Sequence, residues 1–513
     1  MINWSYILER NAEKFPDKEA IIFQDRRLTY KEINERVNSL AKGLLDLGIR
    51  KGDIVAILLY NCSEFLEITF AVNQVGAIWL PLNFRLAGEE LSYILNDAQA
   101  KMLFSQKEFR EVIGAIKKDV PLVKEYVGVG EDVPENWKSY DEIVKTNLGS
   151  VVPHESVEVD DLSRLMYTSG TTAHPKGVML TYGNLYWKNI SHILELDLTH
   201  EDRILVVAPL YHVGGLDLPM TGVIYVGGSA VILRTFDSVE ILKAIAKEKV
   251  TGTWLAPAMI NILFQEPTIK QYDASSLRFI IDGGEKMPEP LIRKFMEIFP
   301  NTWFADAYGL TETVSGDTFL RKDKSLEKIG SVGKAVPHLE IKIVDDNDKE
   351  VPAGELGEIV LRGPKVFKGY WNNPEATAAT IKNGWFHTGD IGYVDEEGYL
   401  YIVDRKKDVI ISGGENIASL EVERVIYQNP KVLEVGVVGI PHPKWQEVPK
   451  AYVVLKEGES MTPEELFDFC IKKLAKFKVP KEVEFIESLP RNPSGKILKR
   501  ELREMARKKT QEG

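Results

Sequence analysis

The segment YTSGTTAHPKG, residues 167–177, gathers Thr168, Ser169, Thr171 and Thr172 around Gly170 and closes on Lys176. Such a loop can turn backbone N–H groups and hydroxyls toward an anion while the lysine adds a point charge, which is the chemistry of holding phosphate. It is not the GxxxxGK[ST] nucleotide loop, because its lysine precedes a glycine and no Ser or Thr follows. On composition alone a solvent-facing turn is the commoner outcome.

The elements that must position these residues alternate. LTYKEINERVNSLAKGLLDLG carries a capping box, Thr29 with Glu32, followed by helical apolar spacing that ends at Gly48. DIVAILL reads as a buried strand, SEFLEITFAVNQVG as another helix and AIWLPLN as another strand. The rhythm recurs at RILVVAPL, AVILR and GTWLAPA, which predicts βαβ units and a mainly parallel sheet. After about residue 325 the texture changes to short strands, EIKIVDD, GEIVLRG and GYLYIV, broken by Gly, Pro and acidic turns, typical of an antiparallel or barrel-like module. The run Arg405–Lys406–Lys407–Asp408 resists burial and reads as a domain boundary; beyond it lies a compact α+β unit of about a hundred residues.

A length of 513 residues calls for more than one domain. Only Cys62 and Cys470 are present, both read as packing residues, which fits a reducing cytoplasm and excludes a disulfide framework. The N-terminus lacks the apolar core of a signal peptide, and the longest uncharged stretch, residues 218–233, is too short and glycine-rich to span a bilayer. A net charge of −12 argues against nucleic acid as a partner. Residues 401–513 nevertheless carry 21 basic against 18 acidic side chains, whereas the chain before them carries 43 against 58. That contrast suggests separate roles for the two parts.

Five ordered segments, YTSGTTAHPKG, AYGLTE (307–312), WFHTGD (385–390), DRKKDVIISGGENI (404–417) and NPSGK (492–496), resemble the motifs of the adenylate-forming superfamily. The branch they look most like is that of AMP-forming acyl-CoA synthetases of the fatty-acid type, and the resemblance covers essentially the whole chain. It implies a large N-terminal domain, 1–404, of doubly wound βαβ subdomains to about 325 with a small β-barrel-like module over 326–404. A hinge at 405–407 and a mobile α+β C-terminal domain, 408–513, complete the expected α/β fold. It implies two steps: a carboxylate attacks the α-phosphate of ATP to give an acyl-adenylate and pyrophosphate, and the thiol of coenzyme A then displaces AMP. Such chemistry is catalysed mainly by positioning and charge neutralisation.

The resemblance distributes the work as follows. Thr168, Ser169, Gly170, Thr171, Thr172 and Lys176 would hold the β- and γ-phosphates. Gly283, Gly284, Glu285, Ala307, Tyr308 and Gly309 would frame adenine, Tyr308 offering its ring face. Thr311 and Glu312 match the α-phosphate and magnesium positions, with Thr168 assisting the metal; one carboxylate suffices for a hard cation that keeps waters and phosphate oxygens. Asp390 would accept from the ribose hydroxyls, Arg405 would bind ribose or phosphate, and Lys496 would neutralise charge in the adenylating step. Lys407 occupies the hinge position. After rotation Ser412, Gly413 and Gly414 would face coenzyme A, whose anionic nucleotide suits the basic tail.

PLYHVGGLDLP (209–219) is similar to the family segment beside the acyl site, with His212 near the activated carboxylate and Val213, Gly214, Gly215, Leu216 and Trp254 around the acyl group. Two glycines where aryl-specific members carry bulkier residues favour a medium- or long-chain fatty acid, although Ala256, Met259 and Ile260 near the same wall are equally explained by core packing. Ala173 and Gln446 stand where the family usually has glycine. The expected function is therefore a cytoplasmic, ATP- and magnesium-dependent carboxylic acid:CoA ligase, with a homodimer and a weak peripheral membrane contact for a long acid left open. Two alternatives stay open: an adenylate-forming enzyme for an aryl acid or for an amine or carrier-thiol acceptor, and a non-catalytic nucleotide- or acyl-binding sensor, against which the retention of Glu312, Asp390, Arg405 and Lys496 together counts.

Overall fold

The computed structural model describes residues 2–168, 175–284, 287–406, 408–412, 415–443, 445–491 and 497–512. Ser169, Gly170, Thr171, Thr172, Ala173, Glu285, Lys407, Gly413, Gly414 and Lys496 lie outside the described residues.

The predicted helix and strand alternation builds two large sheets. In one of eight strands, Leu162–Thr168, Ile78–Pro81, Ile54–Leu58, Met102–Gln106, Glu125–Val129 and Lys138–Ser139 run parallel; Lys176–Thr181 pairs antiparallel with the first of them, and Gly369–Tyr370 pairs antiparallel with Lys176–Thr181 at the edge. In one of nine strands, Trp303–Tyr308, Phe279–Gly283, Gly252–Trp254, Arg203–Val206, Ser229–Ile232 and Glu19–Phe23 are parallel, with antiparallel strands at both edges. The capping box forms as read: the helix Tyr30–Asp46 starts with the Glu32 N–H donating to Thr29 Oγ1 and the Thr29 N–H donating back to Glu32 Oε2. The helix Ser63–Gln74 is buried at every residue but Glu64, because side chains of both sheets share one core around it. Its polar positions go inside with partners, Glu67 with Arg26 and Arg36 and Asn73 with Ser163.

The change of texture after residue 325 is a change of architecture. Glu340–Val344, Gly357–Arg362, Trp385–Val394, Ile381–Lys382 and Leu400–Arg405 form a five-stranded antiparallel sheet. The chain then crosses to a second five-stranded sheet, Glu415–Ile417, Ile410–Ser412, Gln446–Leu455, Val432–His442 and Glu482–Phe485, packed by the helices Ser419–Tyr427, Pro463–Ile471 and Lys499–Glu512. The fold is thus α/β, with a large N-terminal domain and a small C-terminal one.

The crossover departs from expectation in one respect. Asp408 is buried at 7% exposure, because Arg503 from the last helix reaches its Oδ1 at 2.7 Å. A charge in a run that resists burial goes inside when a partner cation comes with it. Among the described residues no helix is long and apolar enough to cross a membrane. Both cysteines are buried and unpaired, Cys62 at the start of the helix Ser63–Gln74 and Cys470 within Pro463–Ile471.

Candidate active site

In open parallel sheets, ligands bind beyond the carboxyl ends of the strands. The described candidates of the large domain gather there. Thr168 ends one parallel strand and is paired in register with Lys176. Gly283 and Ala307 are register partners at the ends of adjacent parallel strands, Gly284 follows the first and Tyr308 ends the second. Trp254 ends a third, and His212 lies in the connection after Arg203–Val206.

Tyr308 joins the two sheet systems. Its hydroxyl donates to Asp390 Oδ2 at 2.7 Å, and Arg405 Nε lies 3.2 Å from Asp390 Oδ1. Burial and the Asp390 carboxylate together push the Tyr308 hydroxyl well above its ordinary pKa, so it stays a donor. Asp390 and Arg405 are themselves register partners on antiparallel strands, which sets the pair without any loop. Three candidates from residues 308 to 405 therefore form one cluster. Beneath them Asp282 is fully buried, and neither of its carboxylate oxygens has a hydrogen-bond partner. Burial, then the adjacent Asp306, raises its pKa well above the carboxylate range.

Thr311 and Glu312 belong to a single 3₁₀ turn, Thr311–Thr313, rather than to the start of a helix. The turn leads into Val314, Ser315 and Gly316, with φ of 57°, 64° and 59°. Left-handed backbone at a β-branched residue costs on the order of 1–3 kcal/mol and persists only where its surroundings enforce it. Gly309 is required here by close approach, since a Cβ on it would stand 2.3 Å from the Gly316 nitrogen. Two groups that the sequence did not single out meet this turn. Tyr370 donates its hydroxyl to Glu312 Oε1 at 2.9 Å, and Lys365, 1% exposed, donates to the carbonyls of Ser315 and Gly316. Burial lowers the Lys365 pKa, against the pull of Asp317 at 2.9 Å. No sequence signal separates buried Lys365 from exposed Lys368 three residues on; only FKGYW, with its paired Gly and Tyr, marks the segment as special.

Among the described residues no group of three or more His, Cys, Asp or Glu could hold a metal ion. Glu312 as a lone hard donor fits magnesium, which keeps waters and shares substrate phosphate oxygens, and does not fit a fully protein-ligated metal.

The acyl side corrects an expectation. Gly214 and Gly215 do not leave open room for a long chain. A Cβ on Gly214 would meet the Trp254 indole at 2.8 Å, and one on Gly215 would meet the carbonyl oxygens of Pro209 and Ala208 at 2.5 and 2.6 Å. The glycines admit a flat aromatic wall and a tight backbone turn. The Gly214 N–H donates to His212 Nδ1 at 3.1 Å, which fixes the ring's proton on Nε2 when it is neutral. The His212 and Trp254 rings lie 6.2 Å apart. Val213 and Leu216 are buried in the same core as Trp254, Ala256 and Met259 flank it, and Ile260 belongs to the neighbouring core.

In the small domain Ser412 is buried and paired in register with Gln446. Gln446 has φ 66°, the left-handed backbone that explains a glycine preference there. A bridge between Arg491 and Ile497 brackets residues 492–496.

Known proteins show the family to which this chain belongs. Residues 8–371 match the model of the AMP-binding enzyme family, and residues 421–496 that of the AMP-binding enzyme C-terminal domain. A feruloyl-CoA synthase from Amycolatopsis is 39% identical over 96% of this chain and 97% of its own. An anthranilate CoA ligase, AuaEII, solved with anthranoyl-AMP, superposes with a TM-score of 0.91 at 29% identity, covering 98% of this chain and 97% of its own. An o-succinylbenzoate coenzyme A synthetase from Bacillus subtilis, solved with ATP and magnesium ion, does so with a TM-score of 0.85 at 34% identity, covering 98% and 99%. The chain belongs to the AMP-binding enzyme family of the adenylate-forming superfamily, in its branch of AMP-forming acid–thiol ligases.

Proposed function

We propose that the protein joins an aromatic carboxylic acid to coenzyme A through an acyl-adenylate. The observation that carries the choice of acid is Trp254 seated on Gly214 beside His212, a flat wall where the fatty-acid reading needs an open channel. The acids named for the three proteins compared above are all aromatic, which supports this reading, while a Mycobacterium tuberculosis fatty acyl CoA synthetase, 36% identical with a TM-score of 0.78, keeps fatty acids in the test.

In this reading the 168–176 segment grips the β- and γ-phosphates and Tyr308 lies along adenine. Asp390 and Arg405 hold the ribose, exchanging part of their mutual pairing for ligand hydroxyls. Glu312 would hold magnesium, which would supply screening of the phosphate charge. His212 Nε2–H faces the substrate carboxylate and orients it for attack. Lys496 neutralises charge gathering between that carboxylate and the α-phosphate. Rotation of residues 408–513 about 405–407 withdraws Lys496 and brings Ser412–Gly414 to the site for thiol attack.

Pyrophosphate exchange with a panel of cinnamic, benzoic, arylacetic and C6–C16 fatty acids tests the acid, and addition of coenzyme A or amines tests the acceptor. Exchange is expected with aryl acids and thioester only with coenzyme A. Preference for the long fatty acids would restore the fatty-acid reading, and absence of exchange with every acid would favour a non-catalytic sensor.

A further inference from the structure

The segment 364–371 touches three parts of the site at once. Its outer anchor is Asn184 on the helix Tyr182–Glu195, whose Nδ2 donates to the carbonyls of Pro364 and Val366 at 2.9 and 2.8 Å. Its other end adds a strand to the sheet edge: Gly369 and Tyr370 pair with Met179 and Val178, and the Trp371 N–H donates to the Gly177 carbonyl at 2.7 Å. That edge strand, Lys176–Thr181, is the one that leaves the threonine-rich loop. Between the anchors the segment grips the Glu312 turn four times. The Phe367 N–H donates to the Glu312 carbonyl at 2.7 Å, the Tyr370 hydroxyl to Glu312 Oε1 at 2.9 Å, and Lys365 Nζ to the Ser315 and Gly316 carbonyls at 2.8 and 2.7 Å. The Lys176 ammonium lies over the Tyr370 ring, 5.1 Å from its centre.

The geometry points to Lys365 and Tyr370 as positioning residues that fix the Glu312 carboxylate relative to Lys176, so that magnesium and the terminal phosphates meet donors already at a set spacing. The inference rests on the assignment of magnesium to Glu312. Strain explains why a strap is needed. Three successive left-handed residues would relax on their own and swing Glu312 away; a buried ammonium on two of their carbonyls holds the backbone where it is. Tyr370 does two things with one side chain, orienting a carboxylate oxygen by its hydroxyl and seating the lysine by its ring face. Asp317 lies 2.9 Å from the Lys365 ammonium nitrogen and is itself held by the Thr313 hydroxyl at 2.6 Å.

The test uses the full chain with Tyr370→Phe, which keeps the ring and the strand pairing and deletes only the hydroxyl, and with Lys365→Arg and Lys365→Met. Calorimetric binding of ATP with and without magnesium is measured beside initial rates of pyrophosphate exchange against magnesium concentration. Expected for Tyr370→Phe is about a tenfold loss in magnesium-dependent ATP affinity, as for removal of other partners of a metal-holding carboxylate. Magnesium-free ATP affinity and the KM for the acid stay unchanged. Lys365→Met shows the same pattern where it folds, and Lys365→Arg recovers part of it. Unchanged magnesium dependence in Tyr370→Phe overturns the inference. So does a fall in magnesium-free ATP affinity by the same factor, which marks a merely structural role. Glu312→Gln separates the two claims: if it too leaves magnesium dependence intact, the Glu312 assignment fails and the strap with it; if it abolishes that dependence while Tyr370→Phe does not, only the strap fails.

Discussion

Two charged regions flank the candidate site, and they are held in opposite ways. Around Glu312 the charges are inside: Lys365 and Asp317 are 1% and 0% exposed, and Lys188, Arg164 and Asp217 form a second buried group next to them. At the crossover the two basic side chains are outside, Arg405 and Lys406 each 50% exposed with Lys406 leaning on Asp346, itself 89% exposed, while the neighbouring Asp404 and Asp408 are buried. Breaking a buried pair costs several kcal/mol, while an exposed pair contributes about 0–1 kcal/mol. A turn that must present one carboxylate in one place is locked. In the proposed rotation the connection exchanges partners, and its exposed cations are held by contacts weak enough to give up.

The contrast breaks most visibly at Lys365. Lys365→Met strands Asp317 in the core and is expected to cost about 3–5 kcal/mol, read as a lowered denaturation midpoint for the large domain. A loss under 1 kcal/mol would show that the buried pair does not lock the turn.

Lys407→Pro probes the other side. A ring at the proposed hinge is expected to slow thioester formation about tenfold more than adenylate formation, because only the second half-reaction needs the rotated pose. Equal slowing of both half-reactions removes the hinge from residue 407.

Asp282 sharpens the buried side through pH. Its raised folded pKa means that the neutral acid is the form the fold favours; that contribution is complete below the ordinary carboxylate pKa, about 4, and is lost as pH rises through the folded value. Asp282→Asn should therefore gain stability relative to the parent as pH increases, and parallel melting-temperature profiles would show that Asp282 carries no unusual proton. The smallest effect belongs to Lys406→Ala, within about 0.5 kcal/mol, since the lysine is itself half exposed and its nearer partner, Asp346, is solvated.

The sequence carried the sheets well because burial writes itself as period. DIVAILL and AIWLPLN have to be inside on both faces, and Thr29 with Glu32 announces a helix by local bonds alone. The Tyr308–Asp390–Arg405 cluster was legible as candidate residues but not as one object, because its members lie far apart in the chain and meet only through register. What stayed illegible depended on partners distant in sequence. Asp408 reads as a surface charge until Arg503 arrives, and Lys365 reads as one more lysine until the strained carbonyls of Ser315 and Gly316 are seen. The two glycines at 214 and 215 misled for the same reason. A missing side chain signals either room or contact, and only the position of Trp254 decides between them.

The central claim is that an acid is activated by ATP as a mixed anhydride before any thiol is involved, with a cation at residue 496 assisting. Its most direct test is single-turnover formation of acyl-AMP from an aryl acid and ATP without coenzyme A, in parent and Lys496→Ala, beside thioester formation from synthetic acyl-AMP. The account predicts a loss of about 10²–10³-fold in the first reaction, the scale seen when one donor to a developing charge is removed, with the second nearly unchanged. Parent protein that forms no acyl-AMP, or a variant that forms it at the parent rate, would contradict the account.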